Sequence, residues 1–97
     1  MLRKVIIKPR AERVIQSVAN FIEAKNTPGS SDKWVNEIMD FIISHAYVNS
    51  GYSLCTNADL AKRNYSCIVF KKKWVIAFKQ TAQIFEVYQI VYGPNLG

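Results

Sequence analysis

The side chains best suited to chemistry in this 97-residue chain are basic, and many of them fall between positions 62 and 79. They are Lys62, Arg63, Lys71, Lys72, Lys73 and Lys79. A second basic group lies near the N-terminus, and the whole chain has a formal net charge of +6 and a pI near 9.5. Because ammonium and guanidinium groups bind phosphate and carboxylate, this distribution predicts an acidic partner, such as RNA, DNA, a ribosome or an acidic protein.

Three consecutive lysines, from Lys71 to Lys73, interrupt an otherwise apolar run. The aromatic and β-branched residues on either side of them predict two strands, so the lysines lie where the chain must reverse direction. Solvated charge is typical of such a position. We therefore interpret the triplet first as a hairpin corner, and second as a contributor to a positive rim around the sheet.

Neither the single histidine nor the two cysteines follow a pattern typical of catalysis or metal binding. His45 continues the apolar face of a predicted helix near its C-terminus, which favours a packed histidine over a catalytic one. Cys55 and Cys67 are too few for a disulfide framework and lack the spacing of a zinc site. We predict two reduced core cysteines, no metal and no cofactor.

Size and composition predict one globular domain over residues 1–97. A content of 49% hydrophobic and 21% charged residues is an ordinary globular balance. No run approaches the roughly 20 apolar residues that a membrane span requires. The apolar residues behind the N-terminal basic group are too few for a secretory signal, so we expect a cytoplasmic protein with no membrane partner.

Hydrophobic periodicity in the first half predicts a strand and two helices. A β-branched cluster over Leu2 to Lys8 predicts the strand, and Pro9 ends it. Two helical patterns follow, separated by a Thr-Pro-Gly break at positions 27–29, and so short a connection predicts an antiparallel hairpin. Ser30 or Ser31 is the predicted N-cap of the second helix. The predicted apolar faces are Ala11, Val14, Ile15, Val18, Phe21 and Ile22 in the first helix, and Trp34, Val35, Ile38, Met39, Phe41, Ile42 and His45 in the second.

The second half predicts a long loop and then three strands. In the loop, from Tyr47 to Asn64, Asn57 is placed to cap one or two helical turns. Strands are predicted over Tyr65 to Phe70, Trp74 to Lys79 and Ile84 to Tyr92, and their short connections indicate an antiparallel meander. The expected architecture is α+β with the order β-α-α-β-β-β, in which a helical hairpin packs on a mostly antiparallel four-stranded sheet. The position of the first strand in that sheet stays open.

Several stretches of the chain resemble a known toxin family. "FIEAKNTPGSSDKWVNEIMDFI" resembles the paired helices of the RelE/ParE superfamily, the toxins of type II toxin–antitoxin modules. "LCTNADLAKRNYSCIVFKKKWVIAFK" and "FEVYQIVYG" resemble its terminal strands. The resemblance covers nearly the whole chain in the right order. It implies the α+β fold given above and a cognate antitoxin whose C-terminal segment wraps the toxin.

The family implies two alternative activities. RelE-like members cleave mRNA in the ribosomal A site, whereas ParE-like members poison DNA gyrase. RNA cleavage without a metal needs a base for the 2′-hydroxyl, an acid for the leaving oxygen and positive charge at the phosphate. The resemblance implies that Tyr88 or Tyr92 assists proton transfer. It also implies four phosphate contacts, from Lys62, Arg63, Lys71 and Lys79.

Three positions depart from the ribonuclease pattern of the family. Relatives often carry arginine after the tyrosine of the second strand, where this chain has Ser66. Their last strand often reads Tyr-Arg-x-x-His-Gly, in which Gln89 here replaces the arginine and Tyr92 the histidine. A neutral amide does not balance a phosphate charge as a guanidinium does. Ribosome-dependent mRNA cleavage, which inhibits growth, is the first prediction; a non-enzymatic gyrase inhibitor and a degenerate toxin that only binds its antitoxin are the alternatives.

Overall fold

The computed structural model describes residues 3–47 and 52–96, and it has the predicted α+β architecture. Its main elements are β1 (Lys4–Ile7), α1 (Pro9–Lys25), α2 (Ser30–Tyr47), α3 (Ala58–Lys62), β2 (Ser66–Phe70), β3 (Trp74–Gln80) and β4 (Ile84–Tyr92). A short 3₁₀ turn over Gly93–Leu96 follows β4. Parts of two predicted segments, Leu2 in the first strand and positions 48–51 in the long loop, lie outside the described residues.

The four strands form one sheet in the order β1-β4-β3-β2. The strands β2, β3 and β4 form the predicted antiparallel meander. The first strand, whose position the sequence leaves open, lies at the outer edge and runs parallel to β4, with Val5 opposite Phe85. A parallel pair needs a long crossover connection, which the helical hairpin and the strands after it supply.

The main core lies between one face of the sheet and the two long helices. Phe78 and Phe85 are fully buried at its centre, with ring centroids 4.4 Å apart, and Ile38 and Ile42 of α2 pack on the same side. One expectation about this core is wrong. Phe21 was expected on the buried face of α1, but its side chain is 64% exposed because it borders an open groove instead of the sheet.

The start of α2 is capped by a side chain from α1. The helix begins at Ser30, and the Glu23 carboxylate accepts hydrogen bonds from the backbone N–H of Gly29 (2.9 Å) and from the hydroxyl of Ser31 (2.7 Å). These hydrogen bonds stabilise the ionised carboxylate and lower the pKa of Glu23, and the bond from Gly29 has the largest effect. The predicted serine N-cap is therefore wrong, because a carboxylate across the hairpin satisfies N–H groups at this helix end.

The lysine triplet forms the corner between β2 and β3, as predicted. Phe70 and Trp74 form the last pair before the corner, and the N–H of Lys73 donates to the Phe70 carbonyl at 3.1 Å. Lys71 and Lys72 both have positive φ values, of 51° and 62°. Such values match the right-handed twist of a hairpin, but they cost a residue with a Cβ roughly 1–2 kcal/mol.

Replacing Lys72 by glycine should therefore stabilise the protein. Glycine adopts positive φ without steric cost, although it loses more backbone entropy on folding, so we expect a net gain of about 0.5–1 kcal/mol in the free energy of unfolding. Denaturant unfolding followed by circular dichroism measures this change. Lys73→Gly is the matched control: Lys73 is outside the positive-φ residues of the described chain, so the same replacement should destabilise. Equal changes in the free energy of unfolding for the two variants would contradict a steric cost of the positive φ at Lys72.

Residues 52–65, which we call the strap, wrap around the outer edge of β2. Tyr52 packs against the main core on the helix side. Leu54 forms an antiparallel bridge with Ser66 at the edge itself. Leu60, in α3, is buried on the opposite face of the sheet. The strap thus passes from one face of the sheet to the other, and the predicted cap of α3 by Asn57 is confirmed at 3.2 Å from the Leu60 N–H.

The two cysteines form a disulfide, so the prediction of reduced thiols is wrong. Cys55 in the strap is bonded to Cys67 in β2, with an S–S distance of 1.96 Å and a Cα–Cα distance of 5.0 Å. The sequence predicted otherwise because two cysteines are too few for a disulfide framework. The reason for the pairing lies in the path of the strap, which returns along the edge of β2 and brings Cys55 beside that strand.

Candidate nucleic-acid interface

A β-bulge in β4 decides which side chains share a face of the sheet. Phe78 pairs with Val87 and Ala77 pairs with Gln89, so Tyr88 is an extra residue without a partner in β3. Two residues of one strand then oppose one of the other, and the alternation of faces reverses. Before the bulge, residues at odd positions, such as Val87, face the helices. After the bulge, residues at even positions, such as Ile90, face them. Tyr88 therefore faces away from α1 and α2, on the side that we call the open face.

Two tyrosines and a lysine meet on the open face. The rings of Tyr65 and Tyr88 are stacked, with centroids 5.2 Å apart and planes inclined by 30°. The ammonium of Lys79, in β3, lies 5.5 Å from the centroid of each ring. Tyr65 and Tyr88 are half-buried and Lys79 is exposed. A cation near the faces of two phenol rings is held by the ring quadrupoles, which orients Lys79 without neutralising its charge.

A second lysine and a glutamate complete this group, which we call the open-face cluster: Lys8, Tyr65, Lys79, Glu86 and Tyr88. The ammonium of Lys8 lies 5.4 Å from the Tyr88 centroid and 3.2 Å from the Glu86 carboxylate. Glu86 is also the cross-strand partner of Lys79. Because this pair is partly solvated, its contribution to stability is small, and its main effect is to fix where the charges lie.

The open-face cluster can bind a nucleotide in two ways. Its two ammonium groups can contact a phosphate, and its phenol rings offer surfaces for stacking a base, as in proteins that bind single strands. The Tyr88 hydroxyl can also donate a proton to an oxygen that leaves phosphorus, and its oxygen can accept a hydrogen bond from an attacking hydroxyl. The open-face cluster also contains one carboxylate, that of Glu86, which is paired with Lys8.

Of the six residues predicted for the site, Tyr88 and Lys79 lie together in the cluster. Lys62 and Arg63 are exposed at the C-terminal end of α3, shortly before Tyr65 in the chain. Lys71 lies elsewhere: its ammonium is paired with the Glu37 carboxylate of α2, and this hydrogen bond lowers the pKa of Glu37.

The sixth predicted residue, Tyr92, lies on the helix side of the sheet. Its ring contacts that of Trp74, with centroids 5.1 Å apart, at the end of β4. Together with Phe21 and Val18 of α1, the two rings line an apolar groove of about 400 Å³. Tyr88 and Tyr92 are thus on opposite faces, and a single substrate group cannot contact both hydroxyls at once.

Three members of the open-face cluster were missing from the predicted site. They are Lys8, Tyr65 and Glu86. Lys8 follows β1 directly, so its place depended on pairing β1 with β4, which the sequence left open. For Tyr65, the available signal was that it directly precedes β2, so that the alternating strand pattern puts its side chain on the same face as Cys67.

His45 lies on the helix side, away from the cluster, as a packed residue. Its Nδ1 is 2.8 Å from the Tyr52 hydroxyl, and its ring contacts that of Phe41 at 4.7 Å. Partial burial lowers the pKa of His45, since burial disfavours the charged form. The folded state therefore binds this proton less readily than the unfolded state, and stability decreases as the pH falls below the ordinary histidine value of about 6.5.

Among the described residues, 3–47 and 52–96, no helix is both long and apolar enough to cross a membrane. The same residues contain no group of three or more histidine, cysteine, aspartate or glutamate side chains that could hold a metal ion.

No protein-family model matches the chain, and no curated protein matches it. Among solved structures, it is similar to a chain of a structure described as "Chromosomal ParDE TA system from P. aeruginosa". The alignment covers 94% of this chain and 96% of that chain, with a TM-score of 0.71 and 11% sequence identity. At this identity the similarity shows the fold, which is ParE-like, over nearly the full length of both chains.

Proposed function

We propose that this chain is the toxin of a type II toxin–antitoxin module and that it inhibits growth by cleaving ribosome-bound mRNA at its open face. The similarity in fold to a chain of a ParDE system supports the first part, because it extends over 94% of the chain. The open-face cluster supports the second part. Because the proposed substrate is ribosome-bound mRNA, the proposal includes a cytoplasmic location.

We assign a different role to each side chain of the cluster. Lys79 and Lys8 balance the charge of the scissile phosphate, Tyr65 stacks on a neighbouring base, and Tyr88 donates a proton to the RNA oxygen that leaves phosphorus. Lys62 and Arg63 extend the positive surface along the RNA strand. The single observation that carries this assignment is the position of the Lys79 ammonium, 5.5 Å from both tyrosine rings on the open face.

Expression of the chain without its antitoxin tests the proposal. Rapid transcript cleavage at ribosome-occupied codons, mapped by sequencing of RNA 5′ ends, is the expected result. Intact transcripts together with chromosome breakage and an SOS response would instead indicate inhibition of DNA gyrase. Intact transcripts, an intact chromosome and normal growth would indicate a degenerate toxin.

Two departures from the ribonuclease pattern of the family favour the gyrase alternative. Gln89, opposite Ala77, is neutral where relatives often carry arginine, and Tyr92 lies on the other face. An inhibitor that acts by surface contact needs no acid, base or phosphate ligand, so these departures do not affect it.

Loss of the Lys79 charge should weaken RNA binding more than loss of the Lys71 charge. Both changes to alanine remove one positive charge, but only Lys79 lies over the cluster, whereas Lys71 is paired with Glu37. We expect about tenfold weaker binding of a single-stranded oligoribonucleotide for Lys79→Ala and less than about twofold for Lys71→Ala. Fluorescence anisotropy at fixed salt measures both. Equal losses would indicate that net charge alone, and not the cluster, binds RNA.

The apolar groove beside α1 is our proposed docking site for the antitoxin. Phe21 and Tyr92 are exposed aromatic side chains at its rim, and such residues are typical anchors of an interface. The ammonium of Lys25 lies 5.9 Å from the Phe21 ring, which favours an amphipathic helix with acidic flanks as the bound segment.

Phe21→Glu should disrupt the toxin–antitoxin complex. A carboxylate at the rim of the groove would have to be desolvated when the apolar face of the antitoxin segment binds, and it would repel the acidic flanks of that segment, so we expect at least about 100-fold weaker binding of the antitoxin. The measurement is calorimetric titration with the product of the small reading frame expected beside this gene. Ile43→Glu, at a 41% exposed apolar residue of α2 outside the groove, is the control and should bind normally. A loss with the control alone would place the interface on α2.

A further inference from the structure

The strap is held on the open face by a small group of buried residues. Cys55 and Leu60 of the strap pack against Ala77 of β3, with exposures of 7%, 4% and 0%. This group is separate from the main core, and the disulfide from Cys55 to Cys67 adds a covalent cross-link between the strap and β2. A segment with few buried contacts opens at lower free-energy cost than the core does, unless a cross-link holds it.

Tyr65 takes its position from the strap. Its N–H donates to the Leu60 carbonyl at 3.2 Å, and its carbonyl accepts from the N–H of Cys55 at 2.9 Å. Tyr65 also lies two positions before Cys67, at the point where the strap enters β2. The stacking of Tyr65 on Tyr88 therefore depends on the strap staying in place.

We propose that the Cys55–Cys67 disulfide is a reversible modification site whose reduction loosens the strap and withdraws Tyr65 from the open-face cluster. The reductant is a thiol, either a small one of the glutathione class or a dithiol protein. Its thiolate attacks one sulfur, which forms a mixed disulfide and releases the other cysteine as a thiolate. A second reductant thiol then frees the remaining cysteine. The chain gains two electrons and two protons, and the reductant leaves as its own disulfide.

Cys67 is the more exposed of the two cysteine residues, which favours attack of a thiolate at its sulfur. It is half-buried at the outer strand, whereas Cys55 is 7% exposed. In a compartment where thiols are kept reduced, an accessible disulfide is a site of regulation rather than a permanent cross-link. The consequence for RNA, which rests on the proposed function, is that the oxidised chain binds a single strand more tightly than the reduced chain.

Hydrogen exchange with and without dithiothreitol tests the structural part. We expect the amides of Cys55 and Tyr65 to exchange at least roughly tenfold faster after reduction, while the amides between β3 and β4 keep their rates. The double variant Cys55→Ser, Cys67→Ser should exchange like the reduced chain and should not respond to dithiothreitol. Equal rates for the oxidised and reduced chains, or failure of oxidised glutathione to restore the disulfide, would overturn the proposal.

Binding of a single-stranded oligoribonucleotide by the two forms tests the consequence. Several-fold weaker binding by the reduced chain is expected, and the serine variant should match it. Equal binding by both forms would overturn redox control of the site while leaving the proposed function intact. If neither form binds RNA, the proposed function fails, and the exchange rates alone decide whether the disulfide controls the strap.

Discussion

Tyr88→Phe should slow the cleavage of ribosome-bound transcripts by about 100-fold or more, the usual range for loss of a group that transfers a proton in the transition state. The change removes one hydroxyl. It keeps the ring that stacks on Tyr65 and lies beneath Lys8 and Lys79, so RNA binding should change by less than about twofold. Single-turnover cleavage by purified protein on programmed ribosomes, together with oligonucleotide binding, separates the two effects.

Tyr92→Phe is the matched control for that experiment. It removes the same hydroxyl from a tyrosine four positions later, which lies against Trp74 on the helix side of the sheet. Cleavage by this variant should equal that of the unaltered chain. The opposite pattern, in which Tyr92→Phe abolishes cleavage and Tyr88→Phe does not, would place the reacting phosphate at the groove and remove the open-face cluster from the mechanism.

Residue spacing alone does not predict that these two tyrosines lie on opposite faces of the sheet. Side chains alternate along a regular strand, so Tyr88 and Tyr92, four positions apart, would share a face. The β-bulge between them reverses the alternation. The polar residues Glu86 and Gln89 are three positions apart, so strict alternation is already broken in the sequence, but only the pairing with β3 shows that the extra residue is Tyr88. The type and order of the four strands and of α1 to α3, by contrast, follow from local sequence patterns and were predicted, whereas the 3₁₀ turn over Gly93–Leu96 was not.

The difference between local and long-range contacts also explains the other features that the sequence did not predict. The Asn57 cap is a contact between neighbours in the chain and was predicted. The Glu23 cap of α2 crosses the hairpin, and the disulfide between Cys55 and Cys67 crosses the edge of the sheet. Lys8 joins the cluster only through the pairing of β1 with β4. Each of these depends on how distant parts of the chain meet, which residue types and spacing alone do not define.

The largest effect on stability is expected for Phe78→Ala. The Phe78 side chain is fully buried, stacks on Phe85 at 4.4 Å and meets the edge of the Tyr52 ring at 5.1 Å. Its loss leaves a cavity at the centre of the core and removes the contact by which Tyr52 joins the strap to it. We expect the free energy of unfolding to decrease by about 3–5 kcal/mol, a large share of the roughly 5–15 kcal/mol that a domain possesses.

Phe21→Ala tests whether burial, and not residue type, produces that effect. The same atoms are removed from a side chain that is 64% exposed at the groove, so the free energy of unfolding should change by less than about 0.5 kcal/mol. Denaturant unfolding of both variants, followed by tryptophan fluorescence and circular dichroism, measures the difference. Comparable losses at the two positions would mean that α1 packs on the sheet through Phe21, as its sequence pattern suggested. The groove would then be closed, and the proposed antitoxin site would be lost with it.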